Sequence, residues 1–174
     1  MKKVILSAAA IFAFGFASAQ QSEDIRFGVK GGLNFSNFTG DVESDGKTGV
    51  YVGGLADIPI SGAFHIQPEL LYSSEGADDA GLDFIRIPII GKYYLLEAFS
   101  LQAGPVLGFK VGGDDGADSV TKALDFGLGF GAAYELPQGI FFDLRYNAGL
   151  ANIYDGDGAD IGTSNFQIGL GYRF

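Results

Sequence analysis

NFQIGLGYRF, Asn165–Phe174, decides the fold. Its odd positions, Asn165, Gln167, Gly169, Gly171 and Arg173, are small or polar. Its even positions, Phe166, Ile168, Leu170, Tyr172 and Phe174, are bulky and apolar. A strict period of two over ten residues describes a strand with two unlike faces, because successive side chains of a strand point to opposite sides.

The same comb recurs along the chain. In RFGVKGGLNF, Arg26, Gly28, Lys30, Gly32 and Asn34 alternate with Phe27, Val29, Gly31, Leu33 and Phe35. FHIQPELLYS sets His65, Gln67, Glu69 and Ser73 against Phe64, Ile66, Pro68, Leu70 and Tyr72. FSLQAGPVLGFK, DFGLGFGAAYE and FFDLRYNAGL repeat it, with Lys110, Asp125, Glu135, Asp143 and Arg145 on their polar faces. DFIRIPIIGKYY puts Arg86 and Lys92 opposite Ile85, Ile87, Ile89 and Tyr93. VYVGGLADI alternates less cleanly, and Tyr51, Leu55 and Asp57 are placed on its polar side. The spacing predicts eight strands, near 26–35, 49–58, 63–73, 83–94, 98–111, 123–136, 139–150 and 164–174. Tight connections near Pro59–Gly62, Leu95–Ala98 and Pro137–Gly139 alternate with long ones at 36–48, 74–82, 112–122 and 151–163. That is an all-β, antiparallel up-and-down meander. An even strand number lets it close and remove its edges, with the last strand against the first near Phe27–Phe35.

A closed barrel of eight strands is either a soluble barrel with apolar residues inside or a transmembrane barrel with them outside. The polar face decides. It carries Arg26, Lys30, Arg86, Lys92, Lys110, Arg145 and Arg173 together with Asp57, Glu69, Asp125, Glu135 and Asp143, and it is rich in glycine. Facing water, those glycines would only weaken the strands. Facing a narrow lumen, they leave room for long basic side chains, and opposite charges there can pair, as buried charges must. The other face is nearly free of charge and ringed with aromatics. In water that surface is an aggregation hazard; in lipid it is required. The chain is therefore read as an eight-stranded antiparallel transmembrane β-barrel.

The first residues are a separate matter. MKK, the apolar run VILSAAAIFAFGF and Ala17-Ser18-Ala19 have the layout of a secretory signal. Residues 1–19 are expected to be removed, leaving 20–174 as one barrel domain. Without Lys2 and Lys3, nine bases face 21 acids, a net charge of −12, which excludes nucleic acid as a partner. There is no cysteine, so packing and backbone pairing hold the fold. The long connections each carry three acids: Asp41, Glu43 and Asp45; Glu75, Asp78 and Asp79; Asp114, Asp115 and Asp118; Asp155, Asp157 and Asp160. Long loops of such barrels face the cell exterior, so the acidic edge is expected there.

HIQPELLYSSEGA, LQAGPVLGF, DFGLGFGAAYEL, FFDLRYNAGLANI and FQIGLGYRF together resemble the PorT-like outer-membrane β-barrel family, common in Bacteroidota, over about residues 26–174. The resemblance implies insertion into the outer membrane by the barrel-assembly machinery. It also implies that Phe166, Ile168, Leu170, Tyr172 and Phe174 form the assembly signal. The family is named for a secretion-associated member, and these packing motifs specify a fold rather than an activity.

Candidate chemistry is sparse. His65, the single histidine, faces the lumen, whereas a lipid-hydrolysing barrel needs its catalytic pair on the lipid-facing wall. A hydrogen-bonded lumen or rim residue is the expectation. YDGDGADIG (154–162) spaces Asp155 and Asp157 as a calcium loop does. Yet Ala159 takes the next ligand slot, Asp160 stands where a glycine is required, and no distal Glu follows. A solvated acidic loop is the plainer reading; Asp155, Asp157 and Asp160 remain weak metal candidates. GVKGG and GLGFG lie within strands and lack a following helix and a Walker lysine, so they are not phosphate loops. An eight-stranded bore is just wide enough for side chains to fill it. The expectation is a plugged, salt-bridged, non-enzymatic monomer without cofactors, in outer-membrane lipid, with a structural or surface-interaction role. The alternatives are a subunit of a secretion or envelope machinery, a narrow channel and, less favoured, a lipid-modifying enzyme.

Overall fold

A computed structural model describes residues 25–40, 46–77, 80–113, 124–150 and 161–174. The signal segment and the acids at 41–45, 78–79, 114–118 and 155–160 lie outside the described residues. Eight strands follow one another: β1 Arg26–Gly40, β2 Lys47–Ser61, β3 Phe64–Ala77, β4 Ala80–Tyr94, β5 Phe99–Gly113, β6 Leu124–Glu135, β7 Ile140–Gly149 and β8 Ile161–Arg173. Each pairs antiparallel with its sequence neighbour, and β8 closes on β1 through Val29↔Tyr172, Leu33↔Ile168 and Phe35↔Phe166. Among the described residues there is no helix. The shortest strand has 10 residues, and about 9–11 tilted residues cross a bilayer core.

The period-two pattern explains the two surfaces. Leu33, Val52, Tyr93, Phe130, Leu144, Ile168 and Leu170 point outward and are about half exposed. The outward rings sit mostly in two girdles. Phe64, Tyr93, Tyr134, Phe142, Tyr172 and Phe174 lie toward the short turns, and Phe35, Tyr72, Phe109, Phe126, Tyr146 and Phe166 lie toward the long connections. That is where interfacial aromatics stand in a membrane barrel.

The turn at Gly62–Ala63 joins β2 to β3, and residues 136–139 join β6 to β7. There Gly139 has φ +89°, which only glycine adopts without cost. Its N–H donates to the Leu136 carbonyl at 2.9 Å.

On the long-connection side six strands are longer than their alternation predicts, β6 and β7 being the exceptions. β3 and β4 run through most of 74–82 and pair up to Ala77↔Ala80. Likewise β1 and β2 pair out to Ser36↔Lys47, β1 runs on to Gly40 against β8, and β8 begins at Ile161. This corrects the placement of Glu75. It continues the inward series Ser73, Glu75 on β3 and is buried in the bore. Its polarity suggested a loop, but an inward strand position with an arginine opposite suits a carboxylate equally well.

Candidate functional site: the charged lumen

The inward residues of all eight strands meet in three tiers. In the middle tier, Arg145 on β7 grips both oxygens of Glu69 on β3, each at 2.8 Å, and donates to Gln102 Oε1 on β5 at 2.7 Å. Lys30 on β1 lies 2.8 Å from Asp143 and 3.3 Å from Glu69. Asp143 also lies 3.6 Å from Arg145. Two bases therefore share two acids, all essentially inaccessible. Bidentate and charge-assisted contacts of this kind are the strong ones. They also leave no uncompensated charge in a medium where one is very costly.

The turn-side tier centres on Asp57 of β2. Around its carboxylate stand His65 Nδ1 at 2.5 Å, Lys92 Nζ at 3.1 Å, Arg173 Nε at 3.3 Å and Arg26 Nη2 at 3.9 Å. Lys92 donates to Tyr94 Oη at 2.8 Å, and Tyr94 Oη donates to Glu135 at 3.2 Å. Glu135 also holds Arg173, and Arg26 at 2.8 Å. Gln67 ties the tiers together: it accepts from Arg173 at 2.9 Å and donates to Glu69 at 2.6 Å. Below, a mouth of about 600 Å³ is lined by Arg26, Tyr94, Glu97, Tyr134, Glu135 and Arg173, among others.

In the third tier, toward the long connections, Arg86 on β4 binds Glu75 through Nε at 3.0 Å and Nη2 at 2.6 Å, and Asp125 through Nη1 at 2.5 Å. Beside it Asn147, Asn165 and Gln167 line a cavity of only about 10 Å³, about the space of one water molecule. Lys110 stands half-buried near the end of β5.

The structure thus brings Arg86 to Asp125 and Arg145 to both Glu69 and Asp143, and it places Lys92 against Asp57. His65 is a lumen residue bonded to Asp57, with its ring 4.8 Å from that of Tyr94. No serine is among its described partners. Among the described residues there is no cluster of His, Cys, Asp and Glu fit for a metal. Asp155, Asp157 and Asp160 lie outside them. GVKGG and GLGFG lie within β1 and β6.

Four features were not read from the sequence. Beyond Tyr51 and Leu55 the bore holds further apolar residues: Leu71, Leu82, Phe84, Ile90, Val106 and Phe141 are buried in it beside the charges. Four bases lie over rings, Lys30 over Tyr51, Arg86 over Phe84, Lys92 over Tyr94 and Arg173 over Phe141, at 4.3–5.5 Å. Parity carries the signal, since Phe84 and Tyr94 share the face of Arg86 and Lys92, and Phe141 that of Asp143 and Arg145. Glycine also makes room for more than bases. A Cβ at Gly108 would meet Arg86, but one at Gly169 would strike the Tyr51 hydroxyl and one at Gly171 the Phe141 ring. Finally, the outer face is not wholly free of charge. Asp83 lies on it near the start of β4, accepting a hydrogen bond from Tyr72.

Residues 6–174 match the family described as the outer membrane protein beta-barrel domain. Among curated proteins none matches the chain. Similar solved structures include Ail, the attachment invasion locus protein of Yersinia pestis. It has 14% identity and a TM-score of 0.58, over 87% of this chain and 99% of that one. Ail has also been crystallised with the heparin analogue sucrose octasulfate. Neisserial surface protein A has 13% identity and a TM-score of 0.57, over 85% of this chain and 97% of that one. OprG from Pseudomonas aeruginosa has 14% identity and a TM-score of 0.50, over 86% and 95%.

Proposed function

The chain belongs to the outer membrane protein beta-barrel domain family and is an outer-membrane protein, and from that premise we propose that it is a non-enzymatic, non-conducting barrel with a structural or surface-interaction role. The observation that carries this is the middle tier. Lys30, Glu69, Asp143 and Arg145 meet across the bore from β1, β3 and β7, and Gln102 joins from β5. Charges so interlocked hold the wall and leave no continuous aqueous path. Planar-bilayer recordings test it: no steady unit conductance is expected, and a reproducible one would overturn the plugged reading.

The remaining parts of the proposal rest on the sequence. Residues 1–19 act as a cleaved export signal, and the nearer kinship is with PorT-like barrels of Bacteroidota. The short turns face the periplasm and the long connections the exterior. With Glu75 inside the bore, eleven acids remain in those connections. Such a surface repels a polyanion of the kind crystallised with Ail and suits a cationic or protein partner. Pull-down from native membranes tests the alternative of a secretion or envelope subunit, which a stoichiometric envelope partner would support. Phe166, Ile168, Leu170, Tyr172 and Phe174 serve as the assembly signal. Removing Phe174 is expected to impair insertion in cells far more than refolding in detergent; equal loss in both would reduce the residue to packing.

A further inference from the structure

The outward face is not evenly covered. Two of its glycines differ in their surroundings. At Gly91 a Cβ would lie 3.3 Å from the Phe64 ring, so a neighbouring aromatic roofs the gap. At Gly31 nothing does: the nearest atoms to a Cβ there are the Tyr51 carbonyl at 3.2 Å and Val52 at 3.7 Å, both within the wall. Around Gly31 stand larger side chains in register, Val52 on β2 and Leu170 on β8, with Val29 two residues back on β1. Ile140 and Tyr172, themselves paired, close the turn-side end. Together these six, with the inward-pointing Lys30 and with Gly171, line an almost wholly apolar groove of about 380 Å³ over the wall from β7 through β8 and β1 to β2.

A glycine inside a strand gives up side-chain packing, and it often marks a place where a ligand approaches the backbone closely. Here the approach is from the membrane. The groove is continuous with the half-exposed aliphatic wall that meets lipid, so its occupant must be apolar. Tyr172 at its turn-side end has an apolar ring for the chain and a hydroxyl for the interface. We propose that this groove is a seat for one acyl chain of a phospholipid in the leaflet on the turn side, held by dispersion contact along Gly31 rather than by any polar group. The leaflet rests on the orientation proposed above; the seat itself does not.

The test uses the full barrel in phosphatidylcholine liposomes, the same lipid in both leaflets, with a trace of phosphatidylcholine carrying a mid-chain diazirine. After irradiation, labelled residues are mapped by mass spectrometry. Val29, Val52 and Leu170 are expected to label above the plain wall at Leu101 and Tyr93 by about threefold or more, a ratio that modest extra contact supplies. Filling the groove by Gly31→Leu should bring them down to wall level. Because Gly31→Leu also presses on the Tyr51 carbonyl, Val52→Trp fills the groove from its lip and should reduce labelling of Val29 and Leu170 equally. Uniform labelling of the native barrel would overturn the seat, as would an excess that survives both substitutions. Cross-linking of this face to a second copy instead of lipid would also overturn it. Protease access to the long connections reports the orientation separately, so either reading can fail alone.

Discussion

Leu144 and Arg145 are neighbours on β7 and live in opposite worlds. Leu144 is 48% exposed on the outer wall, while Arg145 is 1% exposed in the bore. In a water-soluble domain the preferences would be reversed. Here the outer solvent is hydrocarbon, which tolerates leucine and rejects charge, and the inner solvent is other side chains. The outer face therefore asks only for apolarity and is indifferent to which neighbour lies alongside. The inner face asks for particular partners, since Arg145 meets Glu69, Asp143 and Gln102 only in their observed places.

The sharpest way to break this contrast is from the inside. Arg145→Met leaves Glu69 and Asp143 to share Lys30 alone, and stranding a buried charge costs about 3–5 kcal/mol. Urea unfolding of detergent-refolded protein should show that loss, and a loss below about 1 kcal/mol would mean that water reaches the middle tier. One residue away, Leu144→Arg puts a charge on mid-wall lipid, at about 2–4 kcal/mol. That cost should appear in bilayers and shrink in micelles, whereas the Arg145→Met cost should persist in both. Gly169→Ala tests packing rather than charge: its Cβ strikes the Tyr51 hydroxyl, and overpacking costs about 1–3 kcal/mol. Adding Tyr51→Phe should recover much of it, and no recovery would place the strain in the backbone. The smallest effect is expected at Asn165→Leu. Neither amide atom of Asn165 has a hydrogen-bond partner among the described residues, so its removal should change stability by under about 1 kcal/mol in either direction. A large loss would mean that the amide is bonded to solvent in the small cavity beside it.

Much of the fold was legible because a strand broadcasts its two faces with a period of two. Asn165–Phe174 is the clearest case: its even residues all point outward, and its odd residues are all buried. The bases and acids of the lumen were legible by the same rule. Glu75 was not, because a carboxylate past the end of a clean alternation looks like a loop residue until Arg86 is seen opposite. Phe84, Tyr94 and Phe141 were missed for a related reason. The alternating runs read from the sequence assigned these three to neither face, whereas parity with Arg86, Lys92 and Asp143 puts them inside as platforms for cations.

From the sequence alone came the strand number, the closed meander, the segregation of charge to one face and the need for a hydrocarbon solvent on the other. All of these follow from local alternation and composition. Only the tertiary structure decided who meets whom: Asp57 with Lys92 and Arg173, Glu69 with Arg145, Glu75 with Arg86, and the open groove at Gly31 against the roofed Gly91. Those choices depend on the stagger between strands. Stagger sets the height of each inward residue in the bore and each outward residue on the wall, and it is a property of eight pairings at once.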